Sequence, residues 1–261
     1  MTQRFFTRLL DDASRGYRAG GRFAYHFARG KLAGDNIFRE LLQRGVFPPA
    51  ARFLDLGCGQ AVFASWLLAA RRRYEQGDWP ADWPQPPRVL ALRGVELMPK
   101  DVERARAVFA NDDATVRILQ GDIREIDFGE ADVVTILDVL QYIDFARQED
   151  ILRRVHAALP AGGVFVTRIG DADAGLPFHL CNWVDHAVTF VRGHRLPQLY
   201  TRSLREWTAL LQEIGFAVDT APMSGKKPFA NTMLVARVVR AGAVGAGEGE
   251  GERETKVAVA A

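Results

Sequence analysis

Residues 53–60, Phe-Leu-Asp-Leu-Gly-Cys-Gly-Gln, decide the fold of this 261-residue chain. An apolar run leads into an acid and then into Gly-x-Gly, and apolar residues at helical spacing follow from residue 61. Glycines between a strand and a helix let the chain turn sharply and let a ligand approach the main chain. The stretch therefore predicts a buried strand, a tight turn and a helix that together form a ligand site.

Apolar runs of strand length recur along the chain, with helical patterns between them. The predicted strands cover residues 51–57, 88–97, 116–122, 131–140, 164–170, 216–223 and 230–239. Strands that alternate with helices predict an α/β fold with a doubly wound, mostly parallel, Rossmann-like seven-stranded sheet that closes with an antiparallel pair. Such a sheet binds ligands at the carboxyl ends of its strands.

Three regions differ in composition. Residues 1–50, rich in arginine, glycine and aromatic residues, are predicted to form an N-terminal helical cap on a domain of residues 51–240. Residues 241–261 lack aromatic residues and bury too little apolar surface to offset their ordering entropy, so they are predicted to be disordered. Residues 71–87 hold four prolines and two tryptophans, which indicates either a packed surface loop or a partner-docking loop.

Charge and cysteine content exclude several classes of protein. The 34 basic and 32 acidic residues give a net charge of +2, which argues against a dedicated nucleic-acid binder. The two cysteines, Cys58 and Cys181, provide neither a disulfide framework nor a cysteine-based zinc site, and no metal site is predicted. No apolar run is long enough to predict a membrane-spanning helix and no secretory signal is recognised, so we expect a cytoplasmic protein.

The glycine pattern also selects the kind of cofactor. A dinucleotide site requires a third glycine three residues after the second, where this chain has Val62. The carboxylate of Asp55 at the end of the strand would repel phosphates. A cofactor without phosphates and with a positive charge fits better, which disfavours a dehydrogenase.

Asp55, Gly57 and Gly59 resemble the first motif of the class I S-adenosylmethionine-dependent methyltransferases, in which an acid precedes three alternate glycines. Ala61 stands at the last glycine position. The resemblance, to bacterial enzymes that act on small molecules, implies S-adenosylmethionine as the cofactor. That cofactor carries a sulfonium and an ammonium group, which a nearby carboxylate stabilises.

The same resemblance assigns roles at the following strand ends. Glu96, next to Leu97, is expected to accept both ribose hydroxyl groups, because a carboxylate offers two acceptor oxygens. Asp122 is expected to bind the adenine amino group and the N–H of Ile123 the adenine ring. Asp138 is expected beside the methyl group, either in the site or as a simple helix cap. The predicted cofactor-binding residues are Asp55, Gly57, Cys58, Gly59, Glu96, Leu97, Asp122, Ile123 and Asp138.

A hydroxyl acceptor needs a base that removes its proton, and histidine is suited to this role near neutral pH. His179 and His186 are seven residues apart, so a helix would place both on one face. They are the candidate bases, together with Asp138 as a third catalytic candidate, although packing is an alternative for both histidines. His26 in the cap is a further histidine with the same two interpretations.

The cap permits two interpretations. Seven basic and two acidic residues between positions 1 and 34 give it a charge of +5, which could attract an anionic acceptor or one on an acidic carrier protein. Arg29 or Lys31 could pair with the cofactor carboxylate. The cap could instead be an amphipathic helix that lies on the core or at a membrane surface.

The sequence therefore predicts a methyltransferase that acts on a small molecule, with oxygen as the expected acceptor atom. A methyltransferase of RNA or protein is an alternative, but the low net charge and the lack of a separate binding module disfavour it. An inactive protein of the same fold, which binds only the cofactor or a partner, is a second alternative. The sequence does not predict an oligomeric state.

Overall fold

A computed structural model describes residues 2–111, 114–170, 199–223 and 231–239 of the chain. The strands of this part of the chain are β1 (Ala50–Leu56), β2 (Arg88–Glu96), β3 (Val116–Gln120), β4 (Val133–Leu137), β5 (Val164–Gly170), β6 (Phe216–Pro222) and β7 (Asn231–Val238). The helices are α1 (Thr2–Arg15), α2 (Gly21–Gly34), α3 (Asn36–Gln43), α4 (Val62–Glu75), α5 (Pro99–Val108), α6 (Phe145–Ala158) and α7 (Leu204–Ile214).

The strands form one sheet in the order β3-β2-β1-β4-β5-β7-β6. The first five strands are parallel, and β7 runs antiparallel between β5 and β6. The direction in which successive strands are added to the sheet reverses between β1 and β4, and ligands usually bind at such a switch point. The predicted doubly wound, seven-stranded sheet with an antiparallel end is confirmed.

Helices cover both faces of the sheet because successive strand residues point to opposite sides. Phe53 packs in one hydrophobic cluster with the buried residues of α1 to α5, whereas Leu54 packs in the other with those of α6 and α7. Trp66 of α4 is fully buried, and its indole N–H donates to the carbonyl of Phe38 in α3 at 2.8 Å. The predicted N-terminal cap is therefore helical and shares the core of the first face.

Residues 71–87 begin inside α4, because that helix continues to Glu75. The rings of Trp79 and Trp83 lie 5.6 Å apart, and Phe5 of α1 contacts both at 5.4 and 5.6 Å. These contacts support the packed-loop interpretation of the insertion. The limits of the predicted domain stay a prediction, and residues 241–261 lie outside the described part of the chain.

Candidate cofactor and acceptor site

The turn after β1 is fixed by the neighbouring strand β2. The backbone N–H groups of Gly57 and Cys58 both donate to the carbonyl of Val95, at 2.8 and 3.0 Å. The next strand residue, Glu96, accepts the N–H of Gly59 on Oε2 at 2.9 Å and the N–H of Met98 on Oε1 at 2.8 Å. The carboxylate of Glu96 thus lies directly against the glycine turn, as the predicted cofactor site requires.

Gly57 and Gly59 are favoured in the turn for different structural reasons. Gly57 has a φ of +74°, and a Cβ at this position would overlap the side chain of Val139. Gly59 has a φ of +56° but faces open space, so a ligand can approach its main chain. Ala61 also adopts the left-handed region, with a φ of +57°, where the resembled motif has its last glycine. The turn keeps its geometry at this position without a glycine.

Asp55 lies buried at the end of β1, with 3% of its surface exposed. Thr135 of β4 donates from its hydroxyl to Asp55 Oδ1 at 2.6 Å. Burial raises the pKa of Asp55 to about 7, and the nearby Glu96 adds to this shift while the Thr135 hydrogen bond opposes it. The carboxyl group is therefore ready to ionise when a positive charge arrives beside it.

Gln60 is a further candidate site residue, which the sequence argument did not name. Its side-chain N–H donates to Asp101 of α5 at 3.0 Å, whereas its buried Oε1 has no hydrogen-bond partner among the described residues. Tyr17, fully buried in the cap, donates its hydroxyl proton to the carbonyl of Gln60 at 2.8 Å, and burial raises the tyrosine pKa above its usual range. The position of Gln60 inside the glycine turn was the only available signal.

The ends of β2 and β3 also meet, because the N–H of Gly121 donates to the carbonyl of Glu96 at 3.0 Å. Asp122 follows Gly121 and accepts the N–H of Arg124 at 2.9 Å. The guanidinium of Arg124 lowers the pKa of Asp122, so that this carboxyl stays ionised. Ile123 is buried, whereas Leu97 is 54% exposed.

Asp138, directly after β4, joins an ion cluster that consists of Lys31, Asp35, Asp138 and Arg168. Arg168 of β5 donates from Nε to Asp138 Oδ1 at 2.6 Å and from an η nitrogen to Asp35 Oδ2 at 2.9 Å. Lys31 Nζ lies 2.9 Å from Asp35 Oδ2 and 3.2 Å from Asp138 Oδ2. The cluster connects the cap to the carboxyl ends of two strands.

The charges of this cluster balance. Burial alone would raise the pKa values of Asp35 and Asp138, but the adjacent Arg168 and Lys31 lower both. Asp138 has a φ of +60°, which is uncommon for a residue other than glycine. It does not cap the next helix: Asp144 does, by accepting the N–H of Arg147 at 3.0 Å. The helix-cap alternative for Asp138 is therefore wrong.

A cavity of about 510 Å³ lies between α2 and the carboxyl end of β5. Its lining combines three of the four ion-cluster residues with other polar, small and apolar ones, namely His26, Phe27, Gly30, Lys31, Gly34, Asp35, Asn36, Arg168, Met223 and Asn231. This volume lies in the range of small-molecule sites. The cavity is a candidate acceptor site next to the candidate cofactor site.

The predicted catalytic residues are only partly described. His179 and His186 lie outside the described residues, as does Cys181, so their roles stay predictions.

Of the two cap cations considered for the cofactor carboxylate, Arg29 pairs with Asp11 at 2.5 Å, whereas Lys31 belongs to the ion cluster.

Comparisons with known proteins place this arrangement in a family. A family model described as a methyltransferase domain matches residues 25–221, more than half of the chain. The chain belongs to this family, that of the class I S-adenosylmethionine-dependent methyltransferases. The predicted family, fold and cofactor are confirmed.

Individual relatives cover smaller parts or are more distant. A carboxy-S-adenosyl-L-methionine synthase from Chromohalobacter salexigens is 35% identical over 118 residues, which are 44% of this chain and 38% of that protein. The chain thus matches well under half the length of this curated relative. The structure of an O-methyltransferase family protein from Burkholderia thailandensis matches with a TM-score of 0.58 at 19% identity. This match covers 86% of the present chain and 62% of the Burkholderia chain.

A third comparison extends over most of both chains. The magnesium protoporphyrin IX methyltransferase from Synechocystis PCC 6803, solved with bound SAH, has a TM-score of 0.55 at 14% identity. The match covers 83% of this chain and 88% of that one. At this low identity, the match shows a common fold and nothing further.

Among the described residues, no helix is both long and apolar enough to cross a membrane.

Proposed function

We propose that the protein transfers a methyl group from S-adenosylmethionine to an oxygen atom of a small-molecule acceptor. The observation that carries this proposal is the position of the acceptor-sized cavity, which shares the ion cluster with the end of β4. Cofactor-binding groups on β1 to β4 and a cavity beside β5 would align donor and acceptor. Alignment is the main contribution that a protein makes to such a displacement.

The residues at the strand ends fit the groups of the cofactor. Glu96 offers two carboxylate oxygens for a vicinal diol. The buried Oε1 of Gln60, which has no partner in the described part of the chain, offers an acceptor for a hydroxyl or ammonium group. A neighbouring positive charge would stabilise the ionised form of Asp55, because ionisation of this buried carboxyl group otherwise costs free energy. Asp122 and the N–H of Ile123 are assigned to the adenine.

Bound S-adenosylmethionine supplies an activated methyl group, whose bond to sulfur breaks with the electron pair left on sulfur as the acceptor oxygen forms the new bond. The hydroxyl proton must pass to a base. Asp138 is a weak base, because Arg168 and Lys31 hold its pKa below the usual range. We therefore assign proton removal to a histidine: His26, which lines the cavity, or His179 or His186.

By name, the curated relatives synthesise a carboxylated form of the cofactor, yet the ion cluster disfavours that form here. Its two cations, Lys31 and Arg168, are matched by two carboxylates, so the cavity has no net positive charge for a further carboxylate. We therefore keep S-adenosylmethionine as the donor. The low net charge disfavours RNA as acceptor, and the cytoplasmic location stays a prediction.

The test offers the full chain S-adenosylmethionine with a ¹³C-labelled methyl group and a cell lysate separated into small molecules, RNA and protein. We expect label in the small-molecule fraction with the carbon shift of a methoxy group, and no label with Glu96→Ala. Label only in RNA or protein would support the alternative acceptors and contradict the proposal. Label in no fraction, despite cofactor binding, would support the inactive-fold alternative.

If the product is labelled, the base is found by comparing His26→Ala, His179→Ala and His186→Ala. The base variant should bind the cofactor normally, lose turnover and regain part of it at higher pH, where the acceptor ionises by itself. Unchanged turnover in all three variants would rule out a histidine base.

A further inference from the structure

The outer face of α2 combines positive charge with an exposed aromatic ring. The helix, residues 21–34, contains no acidic residue. Its Arg29 and Lys31 pair with carboxylates of other segments, whereas Arg22 is exposed. Phe23 is 60% exposed, more than the other large hydrophobic side chains that are exposed among the described residues. Single exposed apolar residues are common, but one beside the exposed Arg18 and Arg22 and a candidate active site points to a binding partner.

Phe23 connects this face to the cavity. Its ring stacks on that of Phe27 at 6.1 Å, and Phe27 lines the cavity. His26 and Gly30, which also line the cavity, are exposed, so the cavity reaches the surface along α2. A molecule held on Phe23 would therefore lie next to the entrance of the acceptor site.

Two exposed arginines at this end of α2, Arg18 and Arg22, are available to a partner. Arg22 is exposed and has no carboxylate partner among the described residues, and Arg18 is exposed with its guanidinium 5.3 Å from the ring centre of Tyr25. Arg104 lies over the ring of Phe23 at 4.5 Å and also pairs with Asp101 at 3.1 Å. We call the surface formed by Arg18, Arg22, Phe23 and Arg104 the α2 surface.

We propose that the α2 surface docks an acidic carrier protein, which presents the acceptor to the cavity on a flexible arm. This inference rests on the proposed function, because it names the form in which the acceptor reaches that site. Arginines around a single aromatic residue match a partner with a carboxylate-rich surface and a small apolar contact.

A protein partner fits the α2 surface better than an anionic membrane does. An interfacial helix inserts a row of large apolar side chains into the lipid. In α2 the apolar residues Ala24, Ala28 and Leu32 are buried in the protein core, whereas the large hydrophobic side chain of Phe23 is strongly exposed. One ring provides contact with a protein but little anchoring in a bilayer.

The test measures binding of the full chain to purified holo acyl carrier protein, an acidic protein with a phosphopantetheine arm, by fluorescence anisotropy. We expect Arg22→Glu and Phe23→Ser each to weaken binding roughly tenfold. Arg88→Glu is the matched control, because Arg88 is exposed at the amino end of β2 and undergoes the same charge change. The Arg88→Glu variant should bind the carrier like the wild type. Added salt should weaken carrier binding by the wild type.

Binding of S-adenosylmethionine is measured on the same variants. It should be unchanged, because none of these residues belongs to the cofactor site. Loss of carrier binding to the same extent in Arg88→Glu, absence of carrier binding by the wild type, or binding to phosphatidylglycerol vesicles instead would overturn the docking inference. Failure of the wild type to bind S-adenosylmethionine would instead contradict the proposed function, so the two failures are distinguishable.

Discussion

The carboxylate of Glu96 accepts a hydrogen bond of 2.9 Å from the backbone N–H of Gly59. This contact joins the ends of β1 and β2 and holds the acceptor oxygens of Glu96 at the glycine turn. It places the one carboxylate assigned to the ribose beside the main chain that a ligand can approach, since Gly59 faces open space.

Glu96→Ala should weaken the binding of S-adenosylmethionine strongly. The variant loses two acceptor oxygens, and each hydrogen bond to a charged group is worth about 1.5–3 kcal/mol, so the loss of both should raise the dissociation constant roughly hundred- to ten-thousandfold. Glu96→Gln keeps one acceptor oxygen and should lie between the wild type and Glu96→Ala in calorimetric titrations. Glu130→Ala, at an exposed carboxylate that pairs with Arg52, is the control and should bind normally.

The stability of the ligand-free protein should fall as the pH rises through the titration of Asp55. Its folded pKa of about 7 lies above the ordinary value of 3.8, so between these values the folded state binds more protons than the unfolded state. The contribution of Asp55 is therefore most favourable at low pH, decreases up to about pH 7 and is constant above it. Urea unfolding of the wild type and of Asp55→Asn at several pH values measures this difference, and parallel pH profiles would refute it.

Ala61→Gly should destabilise the protein by about 2 kcal/mol less than Ala64→Gly. Both alanines are fully buried, but Ala61 has a φ of +57° whereas Ala64 lies inside α4. The left-handed conformation costs an alanine about 1–2 kcal/mol that glycine avoids, and glycine inside a helix costs about 1 kcal/mol. Equal unfolding free energies for the two variants would show that the turn is not strained at Ala61.

Arg168→Met should destabilise the protein by about 3–5 kcal/mol at neutral pH, because Lys31 is then the one cation left beside Asp35 and Asp138 among the described residues. The loss should shrink as the pH falls below the ordinary carboxyl pKa of 3.8, because stability from a carboxyl group with a lowered pKa is complete above that value and disappears as the pH falls through the lower pKa of the folded state. Arg168→Lys keeps the charge and should recover part of the stability. A penalty independent of pH would assign the effect of Arg168 to packing instead.

The sequence predicted the sheet and the glycine turn because both depend on local patterns. Each strand is a short apolar run, and the acid-Gly-x-Gly turn encodes its own backbone geometry, so Asp55 and Glu96 could be placed at neighbouring strand ends in advance. The assignments at Leu97 and Asp122 stay predictions of the same kind.

The ion cluster could not be predicted in the same way. Asp138 meets Lys31 and Arg168, which lie 107 and 30 residues away in sequence, and no local pattern encodes contacts between such distant segments. The sequence offered a helix cap as the alternative for Asp138, yet Asp144 stands directly before α6 and takes that role. His26 was recognised as a candidate, but its place at the cavity depends on how α2 packs on the sheet.

The central claim is that the carboxyl ends of β1 to β4 bind a cationic sulfur nucleoside. Isothermal titration of the full chain with S-adenosylmethionine and, separately, with NAD⁺ tests it most directly. We expect saturable binding of S-adenosylmethionine that Glu96→Ala weakens and no binding of NAD⁺. Saturable binding of NAD⁺ without binding of S-adenosylmethionine would contradict the account.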